Sequence, residues 1–220
     1  MRLFILAALL LGKAAFASTI VTSIFSSGSD SSEQGLLAVS WTQTDTYTNV
    51  SIGANLAVEN GNPSEEATGT AYLMTQIGPG ATTMKEIASD PIGVFGNPGL
   101  NSITNLFSSL TLGPGTYYLV IDPSNVNMVN SLDWDAATTP TQTFGTGVSD
   151  VMAFEGSSTS ASFPPANTFT SDQETPIFSV TGNFSPTTTA TPEPSTTILL
   201  ACGLAGLAIG RRALVRRTVK

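Results

Sequence analysis

Two carboxylates flank a tryptophan in the segment Asp133-Trp134-Asp135. Carboxylate oxygens are ligands that Ca²⁺ prefers, and an exposed indole offers a flat apolar face on which a sugar ring can stack. We therefore treat Asp133, Trp134 and Asp135 as a candidate ligand-binding group in a loop. The alternative interpretation is that Trp134 packs into one end of the fold while both acids stay solvated, since large aromatics more often pack than bind.

Further acids could carry hydrolytic chemistry, because two carboxylates at a suitable separation cleave glycosidic bonds. The scattered candidates are Asp122, Asp150, Glu155, Asp172 and Glu174. Their spacing singles out no pair, so no catalytic residue is predicted. A glycoside hydrolase is kept as the third of three functional alternatives.

The chain lacks the residues that several other catalytic mechanisms require. The chain contains no His, and its single Cys, Cys202, lies near the C-terminus. Ser-His-Asp and Cys-His catalysis are therefore excluded, together with the commonest zinc ligand. Neither a P-loop nor a dinucleotide-binding glycine motif is present. We predict a non-enzymatic protein with no cofactor and no bound metal.

The charge of the central part of the chain is strongly negative. Residues 18–190 contain fifteen Asp or Glu and one basic residue, Lys85, which gives a net charge of −14. Such a surface repels nucleic acid, so no nucleic-acid partner is expected. Neutral sugars remain compatible with it.

The elements that would position these residues are short strands, because apolar residues recur with a period of two. The clearest run covers residues 50–58, where Val50, Ile52, Ala54, Leu56 and Val58 alternate with mostly small or polar residues. This pattern predicts a half-buried strand. The strands predicted along the body cover residues 20–25, 36–42, 50–58, 70–77, 103–112, 116–121, 151–154 and 177–181.

Turn chemistry and burial then predict the architecture. Gly113-Pro114-Gly115 favours a tight hairpin between the strands 103–112 and 116–121. The strand 116–121 is apolar on both faces, which is typical of a central strand. Residues 125–146 are predicted to be irregular loops. Many short strands separated by turns indicate an all-β fold, an antiparallel two-sheet sandwich that is jelly-roll-like, followed by a C-terminal hydrophobic helix.

The C-terminus has three consecutive parts. Pro192-Glu193-Pro194 comes first, an apolar run over residues 196–210 follows, and Arg211-Arg212 begins a basic end. An apolar helix can enter a bilayer, and arginines at its end stay on the cytoplasmic side. The chain before residue 192 is therefore expected outside the inner membrane.

This order of features resembles the PEP-CTERM sorting signal of Gram-negative bacteria, on the evidence of Pro192, Glu193 and Pro194, the apolar helix and the pair Arg211 and Arg212. The resemblance implies recognition by an exosortase, a membrane-embedded enzyme that processes its substrates near the motif, and an association with exopolysaccharide. It covers residues 192–220 and concerns sorting, not the activity of the body.

The N-terminus fits the same route. The first seventeen residues have the pattern of a secretory signal peptide: Arg2, an apolar stretch over residues 3–11 and the cleavage pattern Ala15-Phe16-Ala17. Ser18 is then the first mature residue. The predicted organisation is a signal peptide (1–17), a β-sandwich domain (18–185), a Thr/Pro linker (186–191) and a sorting tail (192–220) with a membrane helix over 196–210.

The first functional hypothesis is an exported, non-enzymatic protein of the cell envelope or exopolysaccharide matrix. It passes transiently through the inner membrane and then reaches the cell surface or the matrix. The second is a lectin-like carbohydrate-binding module that holds extracellular polysaccharide on exposed aromatics. Candidate platforms are Trp41, Tyr117, Tyr118 and Trp134. Exposure discriminates the two, because a buried tryptophan cannot serve as a platform.

Overall fold

A computed structural model describes residues 17–58, 64, 66–96, 99, 101–124, 131–156 and 169–185. Within residues 27–34 it describes the backbone alone. Nearly the whole signal peptide, the linker 186–191, the sorting tail with Pro192 to Arg212 and the hydrophobic helix 196–210 lie outside the described residues.

Extended backbone accounts for nearly all of the described chain. The strands are β1 Ser18–Gln34, β2 Leu36–Gln43, β3 Thr46–Ala54, β4 Leu56–Val58, β5 Glu66–Met74, β6 Glu86–Phe95, β7 Thr104–Leu112, β8 Gly115–Pro123, β9 Leu132–Phe144, β10 Val148–Gly156, β11 Phe169–Ser171, β12 Thr175–Pro176 and β13 Phe178–Ser185. The helical content of the described residues is one 3-10 turn, Thr83–Lys85.

These strands form two sheets, and every pairing among the described residues is antiparallel. The seven-stranded sheet has the order β12-β9-β1-β13-β3-β7, with β4 paired to β9, and the six-stranded sheet has the order β11-β10-β2-β8-β5-β6. The sheets pack face to face over one apolar core. The predicted all-β, antiparallel two-sheet sandwich is confirmed.

Strand β8 is central, as predicted. It lies between β2 and β5, where Leu119 pairs with Val39 on one side and Leu73 on the other. Leu119 belongs to the core between the sheets, and its neighbour Val120 is fully buried on the outer side. Both faces of the strand are covered, which explains why its sequence does not alternate with polar residues.

Aromatic side chains join the two sheets at the centre of the core. The ring of Trp41 in β2 stacks on Tyr117 in β8 with centroids 5.7 Å apart, and lies 6.2 Å from the ring of Phe178 in the opposite sheet. The buried indole Nε1 donates a hydrogen bond of 3.2 Å to Oε1 of Gln43. The one polar atom of the buried indole thereby has a hydrogen-bond partner, as burial requires.

The predicted hairpin at Gly113-Pro114-Gly115 is wrong. Strand β7 pairs with β3 in the seven-stranded sheet, whereas β8 belongs to the six-stranded sheet, so this turn carries the chain from one sheet to the other. Leu112 and Tyr117 are both buried in the core, and each must approach it from a different sheet. The buried Gln43 amide stabilises the crossing, because its Nε2 donates towards the carbonyl oxygens of Leu112 and Gly113 at 3.1 and 3.0 Å.

The prediction of irregular loops over residues 125–146 is also wrong for the part that the structure describes. Residues 132–144 form β9, which pairs along most of its length with β1. The apolar residues Leu132, Trp134 and Ala136 stand at alternate positions, which is a strand pattern, and Leu132 and Trp134 belong to the core. The intervening acids hid it, because Asp is rare in strands.

The half-buried strand predicted over 50–58 is two strands, and its second half is buried on both faces. Strand β3 ends at Ala54, and β4 leaves it to pair with β9. Gly53 permits close approach of the chain on its outer side, since a Cβ there would lie 2.6 Å from the carbonyl oxygen of Thr104. Asn55 at the junction is fully buried as well.

The central position of β8 yields a stability prediction. Leu119→Ala should lower the free energy of unfolding by about 2–5 kcal/mol, because it removes a fully buried leucine side chain and leaves a cavity. The control is Met84→Ala, at a side chain that is 88 % exposed, which should change it by about 0.5 kcal/mol or less. Urea denaturation measures both. Equal effects of the two substitutions would contradict the assignment of the core.

Candidate functional site

The segment Asp133-Trp134-Asp135 lies in strand β9 and not in a loop. Trp134 points into the core with 1 % of its surface exposed, and its Nε1 donates a hydrogen bond of 2.9 Å to the carbonyl oxygen of Ile177. A buried indole cannot stack on a sugar ring. The packing role of Trp134 is therefore correct, whereas its role as a sugar platform does not fit.

Asp133 and Asp135 lie on the other face of β9, because side chains alternate along a strand. They are also buried, at 2 % and 3 % exposure, so the expectation that they are solvated is wrong. The hydroxyl of Ser131 donates a hydrogen bond of 2.9 Å to Oδ1 of Asp133. This buried acidic row is separate from the aromatic surface described below.

The remaining candidate acids are scattered: Asp122 lies in β8, Asp150 and Glu155 lie in β10, and Asp172 and Glu174 lie in the connection between β11 and β12. Glu155 in β10 pairs with Thr170 in β11, and Asp172 follows that strand, with its N–H donating to the carbonyl oxygen of Ala153. These two acids lie near one sheet edge, with the Phe154–Ser171 row between them. Asp122 in β8 is separated from β10 by β2.

Three of the four candidate aromatic platforms belong to the core, namely Trp41, Tyr117 and Trp134. Tyr118 differs, because it lies on the outer face of the six-stranded sheet and is only partly buried. Three further aromatics accompany it there, namely Tyr72, Phe154 and Phe169. We call these four side chains the aromatic face.

The aromatic face rests on small and aliphatic side chains of the same sheet. Register places Phe154, Ala38, Val120 and Tyr72 side by side across four strands, with the two small residues in the middle. The residues beneath the rings are fully buried although they point outward; they are Leu36, Ala38, Met74 and Val120. The rings of Tyr118 and Phe154 lie 6.1 Å apart at 54°.

Sequence reasoning missed Tyr72, Phe154 and Phe169. The available signal was that Tyr72 and Phe154 occupy the strand positions between core residues such as Leu73 and Ala153. Aromatics on the outward positions of two neighbouring strands indicate a second, outer apolar surface. Phe169 had no such signal, since its strand has three residues.

Acidic and hydroxyl groups lie beside the aromatic face. Asp122 pairs with Thr70, two residues along β5 from Tyr72, so these rows lie on the same face of the sheet. Burial raises the pKa of the Asp122 carboxyl above its ordinary value. Burial is also the largest cause of the raised pKa of Tyr72, a hydrogen bond with Thr70 opposes it, and the negative charges of Asp122 and Glu86 add to it.

This surface combines apolar rings with hydrogen-bonding groups. Partly exposed rings can stack on the apolar face of a sugar, and neighbouring hydroxyl and carboxyl groups can bind its hydroxyls.

Among the described residues, no three His, Cys, Asp or Glu side chains converge as a metal-binding group. The same described part of the chain contains no helix long and apolar enough to span a membrane.

Comparison with known proteins gives no relative. No family model, no curated protein and no solved structure matches the chain.

The raised pKa of Asp122 predicts the pH dependence of one substitution. The folded state binds the Asp122 proton more readily than the unfolded chain, so the ionised carboxylate opposes folding at neutral pH. Asp122→Asn should therefore raise the free energy of unfolding near neutral pH. The gain should shrink as the pH falls through the folded pKa and vanish below the ordinary value of about 3.8.

Urea denaturation near neutral pH and below pH 3.8 measures this difference. Asp90→Asn, at an exposed carboxylate in β6, is the control and should show no comparable gain. A destabilised Asp122→Asn variant at neutral pH would contradict the prediction.

Proposed function

We propose that this chain is an exported, non-enzymatic protein of the cell envelope or the exopolysaccharide matrix. The observation that carries the proposal is the C-terminal order of Pro192-Glu193-Pro194, an apolar run and Arg211-Arg212. Each part has a physical role, because the apolar run enters the inner membrane and the arginines hold its end inside. An exosortase is the expected processing partner, acting near the Pro-Glu-Pro motif.

The properties of the body support this role. A net charge of −14 over residues 18–190 keeps an exported domain soluble and disfavours binding to anionic polymers. Residues 18–190 contain no Cys, so stability comes from the core and requires no oxidising machinery. The body suits presentation in a matrix or at a surface.

We infer further that the body is jelly-roll-like. The order β1-β13-β3-β7 in one sheet and β2-β8-β5-β6 in the other supports this, because consecutive strands such as β1 and β2 or β7 and β8 belong to opposite sheets. Strands β9 to β12 then form an insertion between β8 and β13. They extend both sheets at the β1 and β2 edges.

Processing of the tail is tested by mass spectrometry of the protein recovered from the native envelope and medium. Most mature protein should lack residues 211–220, because the basic end remains with the membrane when the body is released. Glu193→Ala should retain the intact tail, whereas Thr189→Ala, in the linker, should be processed normally. Intact C-terminal peptides on the bulk of surface protein would refute the sorting role.

A carbohydrate-binding module is the second candidate, favoured by the aromatic face. Tyr72 and Tyr118 lie on one outer sheet surface with partly exposed rings, on a buried apolar support. A neutral polysaccharide fits the surface best, because the nearby Asp122 and the acidic body repel anionic polymers. Stacking of an aromatic side chain on a sugar ring requires a flat apolar surface, and the rings of Tyr72 and Tyr118 supply it.

Binding of neutral exopolysaccharide, measured by affinity electrophoresis, tests this candidate. Tyr118→Ala should weaken binding by on the order of tenfold, as for an aromatic anchor of an interface, and change the melting temperature little. Phe144→Ala, at a ring that is 43 % exposed in the other sheet, is the matched control. Equal binding by both variants would reject the aromatic face as the binding surface.

A further inference from the structure

The outward face of β9 presents oxygen ligands at alternate positions. Ser131, just before the strand, precedes Asp133 and Asp135 at intervals of two residues, so all three side chains share this face. All three are buried, at 0 %, 2 % and 3 % exposure. Two carboxylates thus lie in a row, about 7 Å apart along the strand, in a place shielded from water.

Asn55 adds a fourth oxygen from the neighbouring chain segment. The pairing of Leu56 with Trp134 places Asn55 opposite Asp135, and the N–H of Asp135 donates to the carbonyl oxygen of Asn55 at 3.1 Å. Ala54 and Leu56 belong to the core, so the Asn55 side chain lies on the same outward face as Asp135. Directly opposed side chains in such a pair have Cβ atoms about 5 Å apart.

The Asn55 amide is held in place by one end only. Its Nδ2 donates a hydrogen bond of 3.2 Å to the carbonyl oxygen of Gly99. Its Oδ1 is fully buried and, among the described residues, it is one of two buried side-chain atoms without a hydrogen-bond partner, the other being Ser23 Oγ. A buried acceptor without a donor costs free energy, and the register places this side chain on the same outward face as Asp135.

The charge balance favours a cation at this position. Two buried carboxylates are costly to desolvate, and hydrogen bonds such as the one from the Ser131 hydroxyl to Asp133 offset part of that cost, as nearby positive charge also would. Between residues 18 and 210 the sequence supplies one basic residue, Lys85, and that side chain is exposed in the 3-10 turn before β6. The body's own sequence therefore offers little positive charge for the interior of the fold.

We propose that Asp133, Asp135 and Asn55 Oδ1 bind a hard divalent cation, and that the cation is Ca²⁺. Each group is an oxygen ligand, and Ca²⁺ accepts six to eight such ligands in flexible geometry, including amide and main-chain oxygens. Ser131 orients the Asp133 carboxylate through its hydroxyl. Zinc is disfavoured because the site contains neither His nor Cys, and Mg²⁺ because it retains most of its water.

The site fixes a structural position. It joins β9 to the junction between β3 and β4, next to Ile177, whose N–H donates to the carbonyl oxygen of Asp135 at 2.8 Å. Bound Ca²⁺ would lock these three segments together and stabilise the folded chain, as any ligand of the native state does. This inference depends on the buried ligands alone, so its failure leaves the proposed function untouched.

The test uses the full chain, stripped of metal with a chelator and titrated with Ca²⁺ by calorimetry. One site should be filled, and the melting temperature should rise with Ca²⁺ and fall again on chelation. Mg²⁺ should produce a much smaller shift. A chain that shows neither heat nor a change in melting temperature with Ca²⁺ would overturn the proposal.

Three variants locate the site. Asn55→Leu removes the amide oxygen and keeps the volume, and it should weaken Ca²⁺ binding by on the order of tenfold while the metal-free chain stays folded. Asp135→Asn should weaken binding at least as much. Asp90→Asn, at an exposed acid, should bind Ca²⁺ as the wild type does. Unchanged binding by Asn55→Leu, or equal loss in Asp90→Asn, would reject this position.

Discussion

The contact of Trp41 with Phe178 across the core is the constraint on which the sandwich depends. The chain changes sheet at most of its turns, so few described strands pair with their neighbours in sequence; β5 with β6 and β10 with β11 are the pairs that do. Each sheet becomes stable only when its inner side chains meet those of the other sheet. Trp41 is, with Trp134, the largest of them, and Gln43 links its indole to the crossing between β7 and β8. One buried amide thus couples the core to the path of the chain.

The sequence predicts well where one physical signal dominates. Strand β8 and its central position follow from the apolar run 116–121, because burial on both faces leaves no polar alternation to confuse it. The all-β sandwich follows from many short apolar segments and their turns. The crossing at Gly113-Pro114-Gly115 could not be predicted, because the same turn residues serve a hairpin or a change of sheet. The contacts of Gln43 and Tyr117 select the change of sheet. Gln43 is distant from this turn in the sequence, and the sequence does not show to which sheet Tyr117 belongs.

The candidate site was harder to predict, for a related reason. Asp133 and Asp135 look like loop residues, since a buried carboxylate in a strand is exceptional and only the neighbouring chain segments explain it. Asn55 gives no signal of its own, because its importance arises from the strand opposite. Tyr72 and Phe154 become a surface only after β5, β8, β2 and β10 are aligned. Strands β6, β11 and β12 also escaped prediction, because their residues are mostly exposed or their length is too short for periodicity.

Strand β13 is the last described segment of the chain, yet it lies between β1 and β3 in the interior of its sheet. Strand β1, the first to be synthesised, therefore completes its pairing only when β13, the last, is available, and such long-range pairing is slow. A chain that emerges with its N-terminus first cannot close this sheet until Ser185 is free. Until then the pairings of β1 and β3 with β13 are missing, and the seven-stranded sheet stays divided. The topology thus ties completion of the fold to release of the last described strand.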